Sequence, residues 1–261
     1  MIVSGRVSAL VFVLLSFAIF YLYMYLAGRG KEIKVRDIAA MKAIPEAVGR
    51  AAEMGKPAVF TTGIAYSGSI SDPISGAEVL ASINIMGHIA RFTARQGVNY
   101  FVFTPVIDAI PLIEETLRNA YLLEGKPEDF KQTNIRVQAT QSANLSAYLG
   151  FLQRERPASC FIIGGILYES VVMAEAGNTI GAMQISGTAN VFQIPFLVAS
   201  TDYTLIMEEI YAAGAMTHAG PDVLGAIHGE DIVKLILLAI LAIGILLSFS
   251  KQTFLINILR M

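Results

Sequence analysis

The sequence predicts an α/β domain: a mostly parallel, Rossmann-like sheet of about five strands flanked by helices, with one N-terminal and one C-terminal transmembrane helix. Three observations predict it. Short apolar runs alternate with stretches of helical apolar spacing, the order of a parallel sheet wrapped by helices. Two longer apolar runs lie near the two ends and are long enough to cross a bilayer. Only 15% of the 261 residues are charged while 54% are hydrophobic, against about a quarter charged in a soluble domain.

The first span covers residues 7–27. Val7 to Leu26 holds no charged side chain, and a helix rising about 1.5 Å per residue crosses the hydrocarbon core in about twenty residues. Tyr21, Tyr23 and Tyr25 gather at its far end, where amphipathic rings favour the interface. Tyr25, Leu26 and Ala27 do not form a small-x-small cleavage site, so the segment reads as an anchor. The α/β domain is expected over 28–231, the second span over 232–249 (with Lys234 free to snorkel), and a tail over 250–261.

Within the domain a helix is expected over 37–55, interrupted or started near Pro45. "PAVFTTG" (57–63) reads as a buried strand. A helix over 75–97 ends at Gly97, a natural C-cap. "NYFVFTP" (99–105) is a second strand, followed by a helix over 108–125 with Asp108 as N-cap. "NIRVQAT" (134–140) is a third strand, and Ser142 caps a helix over 142–156. "SCFIIGGILY" (159–168), almost wholly apolar, reads as a strand covered on both faces. A short helix over 169–177, a fifth strand "FQIPFLVAST" (192–201) and a helix over 202–215 complete the pattern.

Charge is divided unevenly. Pro157 through Val233 contains no lysine or arginine and eight acids, whereas residues 28–156 hold fifteen basic residues. Such an acidic half excludes nucleic acid as a partner, because nucleic acid needs a basic face. Arg29, Lys31, Lys34, Arg36 and Lys42 follow the first span, whereas Arg6 alone precedes it. This bias places the main domain in the cytoplasm and its basic segment beside anionic membrane lipid. Lys251 and Arg260 pull the other way and are fewer. The single cysteine, Cys160, suits a reducing compartment and rules out an intrachain disulfide.

Chemistry is sparsely signalled. "TTGIAYSGSISDP" (61–73) has the Gly, Ser and Thr of a phosphate loop but neither the G-x-G-x-x-G spacing nor a G-K-[ST] triplet, and no basic residue lies between Lys56 and Arg91. It reads as a turn leading into the next helix, with a polar ligand loop as the functional alternative. Asp108, Glu169 and Asp202 each follow an expected strand. In an open parallel sheet those ends share one edge, together with Thr62, Gly63, Thr104 and Gln141. Carboxylates gathered there can hold a divalent cation, while each one separately also suits a helix cap. His218 and His228 lie near Asp222, Glu230 and Asp231 at a spacing that matches no zinc motif. No G-x-S-x-G elbow is present.

"AEAGNTIGAMQISGTANVFQIPFLVASTDYTLIMEEIYAAGAM" (174–216) and "LGAIHGEDIVK" (224–234) resemble the C-terminal half of an uncharacterised prokaryotic membrane-protein family, classed as a domain of unknown function, with a similar two-anchor layout. The resemblance implies one α/β domain between anchors and supplies no catalytic residues. Two function classes follow. The first is a structural or scaffold protein that forms a homo-oligomer through 170–220, where "ISGTANVFQIPFLVAS" and "IYAAGAMTHAG" are apolar and poor in charge. The second is a ligand- or cation-binding domain, or an enzyme, that uses the strand edge. The absence of a catalytic constellation favours the first.

Overall fold

The computed structural model describes residues 7–29, 37–63, 68–218 and 221–249. The chain divides into two compact units, Arg36–His218 and the paired terminal segments Met1–Val35 with Ala219–Met261.

The larger unit contains helices α2 (Ala39–Met54) to α8 (Glu209–His218) and six strands: β1 (Ala58–Gly63), β2 (Tyr100–Thr104), β3 (Ile135–Val137), β4 (Ser159–Gly165), β5 (Met183–Thr188) and β6 (Tyr203–Ile206). Every pairing is parallel and the order is β3-β2-β1-β4-β5-β6. That is the doubly wound order in which β1 and β4 flank the point where the winding reverses. The intervening helices are α3 (Gly76–Gln96), α4 (Ile110–Leu123), α5 (Gln141–Glu155), α6 (Glu169–Thr179) and α7 (Ile194–Ser200). Helices α5, α6 and α7 pack over one face of the sheet, and α2, α3 and α8 over the other, with α4 against α3.

Strand alternation feeds both layers. Val59, Phe103, Cys160 and Ile162 point into a core with Tyr148, Phe151 and Leu152 of α5, Met173 of α6 and Leu197 of α7. Phe60 and Phe161, each with a sequence neighbour in that core, are fully buried. Burying a side chain of this size contributes about 1.5–3 kcal/mol. On α2, Ala40, Ala43, Ile44, Ala47, Val48 and Ala51 form its buried stripe, at the i, i+3, i+4 spacing of a one-sided helix. Glycines in the left-handed region end both helices, Gly97 stopping α3 as expected and Gly55 stopping α2.

Several expectations are corrected. The sheet has six strands, and the stretch 192–201 is helix α7 rather than a strand. Pro195 lies in the first turn of α7, where its missing N–H costs nothing, whereas in a central strand it would remove a ladder bond. The fifth strand is "MQISGT", whose polar Gln184, Ser186 and Thr188 are fully buried and hydrogen-bonded. The expected helix over 202–215 begins with β6 and becomes helical only at Glu209. Caps differ too: Thr140, not Ser142, caps α5 by accepting from the Ala143 N–H at 3.2 Å. Finally, the small residues of "IYAAGAM" are not a free surface. Ala213 is fully buried, and a Cβ on Gly214 would lie 3.0 Å from Ala81 Cα in α3.

In the terminal unit, α1 (Val7–Gly28) is the one helix among the described residues found long and apolar enough to cross a membrane. Helix α9 (Pro221–Phe249) is continuous for 29 residues, so residues 221–231, expected within the α/β domain, belong to the same helix as the second apolar run. Helices α1 and α9 pack together through Gly225 and Gly229. A Cβ at Gly225 would sit 2.6 Å from the Tyr23 carbonyl oxygen, and one at Gly229 would sit 3.2 Å from Phe20 Cα. This is the small-xxx-small spacing that lets two helix backbones approach.

Candidate functional site

The C-terminal edge of the sheet gathers the loops after β1, β2, β4 and β5. At its centre the ends of β1 and β4 nearly touch. A Cβ on Gly164 (φ +136°) would lie 1.8 Å from the Thr62 carbonyl oxygen, and one on Gly63 (φ +65°) would lie 2.5 Å from that of Gly165. Only glycine fits either position.

Thr62 and Thr104 are fully buried. The Thr62 hydroxyl bonds to Thr104 Oγ1 at 2.9 Å, and Thr104 Oγ1 accepts from the Val106 N–H at 3.2 Å. They pin β1 to β2. Asp108 lies in a 3-10 turn, Ile107–Ala109, ahead of α4 rather than at its cap. Its carboxylate accepts from the Ser69 hydroxyl and the Ile70 N–H, fastening the end of "TTGIAYSGSISDP". Residues 64–67 of that stretch lie outside the described residues. Gln141 Nε2 donates to Glu169 Oε2, joining the starts of α5 and α6, and Glu169 is only 3% exposed.

Asp202 is not on this edge. It precedes β6, at the opposite end of the sheet, where its Oδ2 accepts from the Gln184 N–H at 2.7 Å. Its displacement follows from the shifted strand. In its place stands an acid that sequence reasoning missed. Glu78, in the first turn of α3, is 4% exposed. It accepts from the Thr188 hydroxyl at 3.2 Å and from the Ala189 N–H. Burial raises its carboxyl above the ordinary range, and those two hydrogen bonds oppose the rise. The available signal was its position: like Glu169, it is an acid in the first turn after a strand.

The edge therefore works as a set of ties. Asp108 holds the β1–α3 loop, Glu169 holds the start of α5, and Glu78 holds the loop after β5. Among the described residues no three His, Cys, Asp or Glu side chains are grouped to hold a metal. Of the C-terminal cluster, His228 sets its ring edge-on to Tyr23, with centroids 5.0 Å apart, and Glu230 pairs with Lys234 at 2.9 Å. The side chains of His218 and Asp222 lie outside those described. Cys160 is buried, and burial pushes its thiol up to about 12 against the opposing pull of the Tyr148 hydroxyl. A thiol so placed holds its proton and is inert as a nucleophile.

Residues 1–259 match the family described as "Domain of unknown function (DUF6754)". The chain belongs to that family. No curated protein and no solved structure matches the chain. The DUF6754 family thus spans both the six-stranded unit and the terminal helices, and the fold with its tied sheet edge is a description of this member.

Proposed function

We propose that this protein is a membrane-anchored scaffold that assembles with copies of itself. The observation that carries the reading is an apolar strip along α6 and α7. Val171, Val172, Val191, Phe196 and Phe192 are exposed, Phe192 at 81%. The two helices pack together, and the Ser170 hydroxyl donates to Gln193 Oε1 at 2.7 Å. Contiguous exposed apolar surface of this kind marks an interaction site. The edge carboxylates argue less for a cation, because each is already engaged by a neighbouring loop.

The occupant of the strip is a second copy. No lysine or arginine occurs from Pro157 to Val233, so this half does not attract an anionic bilayer or nucleic acid. Another surface of the same copy offers the complement. Beside β3 and α5 lies a groove of about 390 Å³ lined by Phe101, Phe103 and Phe151 with Arg136 and Arg154. An aromatic groove edged by two arginines and one glutamate, Glu155, keeps a net positive rim that suits an apolar strip in an acidic half. Groove and strip are two different surfaces of one copy, so copies meet head to tail. The exposed leucines and isoleucines of α9, including Leu235, Leu238, Leu241 and Leu246, favour a second span there. Two spans then hold every copy in one plane and raise the local concentration.

Mixing two variants tests this. Phe192→Glu with Phe196→Glu spoils the strip and leaves the groove. Ser146→Trp with Arg154→Glu spoils the groove and leaves the strip. Each variant alone should be monomeric in detergent by light scattering, and their mixture should form one-to-one pairs. A wild-type protein that stays monomeric at all concentrations, or a mixture that never pairs, would overturn the reading.

A further inference from the structure

A second groove, of about 380 Å³, lies between α3 and α4 on the face of the sheet away from α6 and α7. This is within the size range of small-molecule sites, about 300–1,000 Å³. Three features give it a chemical character.

The first is uncommitted hydrogen-bonding capacity. Asn84 of α3 and Thr116 and Asn119 of α4 line the groove, and their side chains make no hydrogen bond among the described residues. His88 stands between them with its ring edge against Phe92, centroids 5.0 Å apart. The second is charge. Arg91 lines the groove, and Arg91 and Arg95 share one carboxylate, Glu124, each at 3.0 Å. Lys126 adds a further cation and ends on the Ala94 and Arg95 carbonyls at 2.8 and 3.1 Å. Two arginines on one carboxylate leave positive charge in excess beside the groove. The third is an apolar rim: Leu122 and Leu123 are exposed, Leu123 at 70%.

We propose that the α3–α4 groove binds a small amphiphilic anion. Its anionic group meets Arg91 and His88, its hydroxyl or amide groups meet Asn84, Thr116 and Asn119, and its apolar part lies on Leu122 and Leu123. A phospholipid headgroup and a soluble organic phosphate share this chemistry. Binding is linked to pH through His88. Burial and then Arg91 hold its imidazole below the usual range. Arg91 on its own helix is the charged group that acts on it, while α4 contributes the neutral Thr116 and Asn119 and α8 the neutral Thr217. A bound anion reverses the effect of Arg91, so binding draws a proton to His88 and tightens as pH falls.

The test uses the full chain in a neutral detergent with three probes: glycerol 1-phosphate, dihexanoyl phosphatidylglycerol and, as the zwitterionic control, dihexanoyl phosphatidylcholine. Affinity is read by calorimetry, and the histidine ring resonances are followed by NMR. Phosphatidylglycerol should bind more tightly at pH 6 than at pH 8 and raise the titration midpoint of the one ring signal lost in His88→Gln. Arg91→Gln and Asn119→Trp should each weaken it at least tenfold. Arg95→Gln removes the same charge from the same carboxylate but does not line the groove, and should weaken it less than twofold. Equal binding of glycerol 1-phosphate identifies a soluble ligand, and binding only of the acylated probe identifies a lipid. No binding of either anion, equal binding of phosphatidylcholine, or equal losses in Arg91→Gln and Arg95→Gln overturns the proposal.

Discussion

Burial raises the Glu78 carboxyl above its unfolded value near 4.5, with the Ala189 N–H and Thr188 hydroxyl pulling the other way. The folded chain therefore holds this proton more tightly than the unfolded chain does. Its contribution to stability is complete below the unfolded value and is lost as pH rises through the folded one. Glu78→Gln removes the titration and keeps an acceptor oxygen for Ala189. Urea midpoints from about pH 4 to 8 should fall for the wild type relative to Glu78→Gln across that window. Parallel curves for the two proteins would refute the assignment. Glu78→Ala leaves a part-buried N–H and hydroxyl without their acceptor and should cost about 1–3 kcal/mol at any pH. At this scale the sequence was only partly legible. Asp108 and Glu169 do lie after strands at one edge, but their partners do not follow from position. Glu78 looks like an ordinary first-turn acid, and the Ala189 N–H that it accepts is 111 residues away in the chain. Local pattern cannot show which distant loop will cover a side chain.

Elements were legible where one local rule decided them. β1, β2 and β4 are apolar runs, and α2 and α3 stop at glycines with positive φ. The segment from 183 to 206 failed because two signals were inverted. Polar Gln184 and Ser186 hid a strand whose side chains find partners in α6, α7 and β6. Apolar β-branched residues around Pro195 suggested a strand in what is a short helix. Tertiary partners decided both. Among the terminal helices the decisive residues are small. Gly225 admits the Tyr23 backbone, and any Cβ there meets the Tyr23 carbonyl at 2.6 Å. Gly225→Leu should separate α1 from α9 at a cost of about 1–3 kcal/mol. The pair Tyr23→Cys and His228→Cys, placed where the rings now meet edge-on, reports it. A short bifunctional thiol cross-linker should bridge the pair readily in the otherwise native chain and slowly once Gly225→Leu is added. Equal rates would show that the glycine does not set the approach.

At the scale of the whole molecule the alternation of strands and helices announced a parallel sheet, but not its order. β1 pairs with β2 and also with β4, Ala58 standing beside Ser159, and such long-range pairing leaves no local trace. The order converts a charge division along the chain into one across the sheet. Strands β1–β3 come from the half that contains all the domain's basic residues, and β4–β6 from the half that has none. Orientation in the membrane rests on the same distribution. Five basic residues between Arg29 and Lys42 follow α1, and positive charge beside a first span is retained in the cytoplasm. On the proposed two-span reading, the α/β unit is expected in the cytoplasm and both chain ends outside. The protein is suited to a thiol test because its own cysteine is fully buried, which leaves a silent background. Glu128 is exposed beside α4, and Ser4 precedes α1. In intact cells a membrane-impermeant maleimide should modify Ser4→Cys and spare Glu128→Cys, and lysis should expose Glu128→Cys. The opposite pattern reverses the orientation. Labelling of both sites in intact cells would mean that α1 does not separate them across a bilayer, and the anchor itself would have to be abandoned.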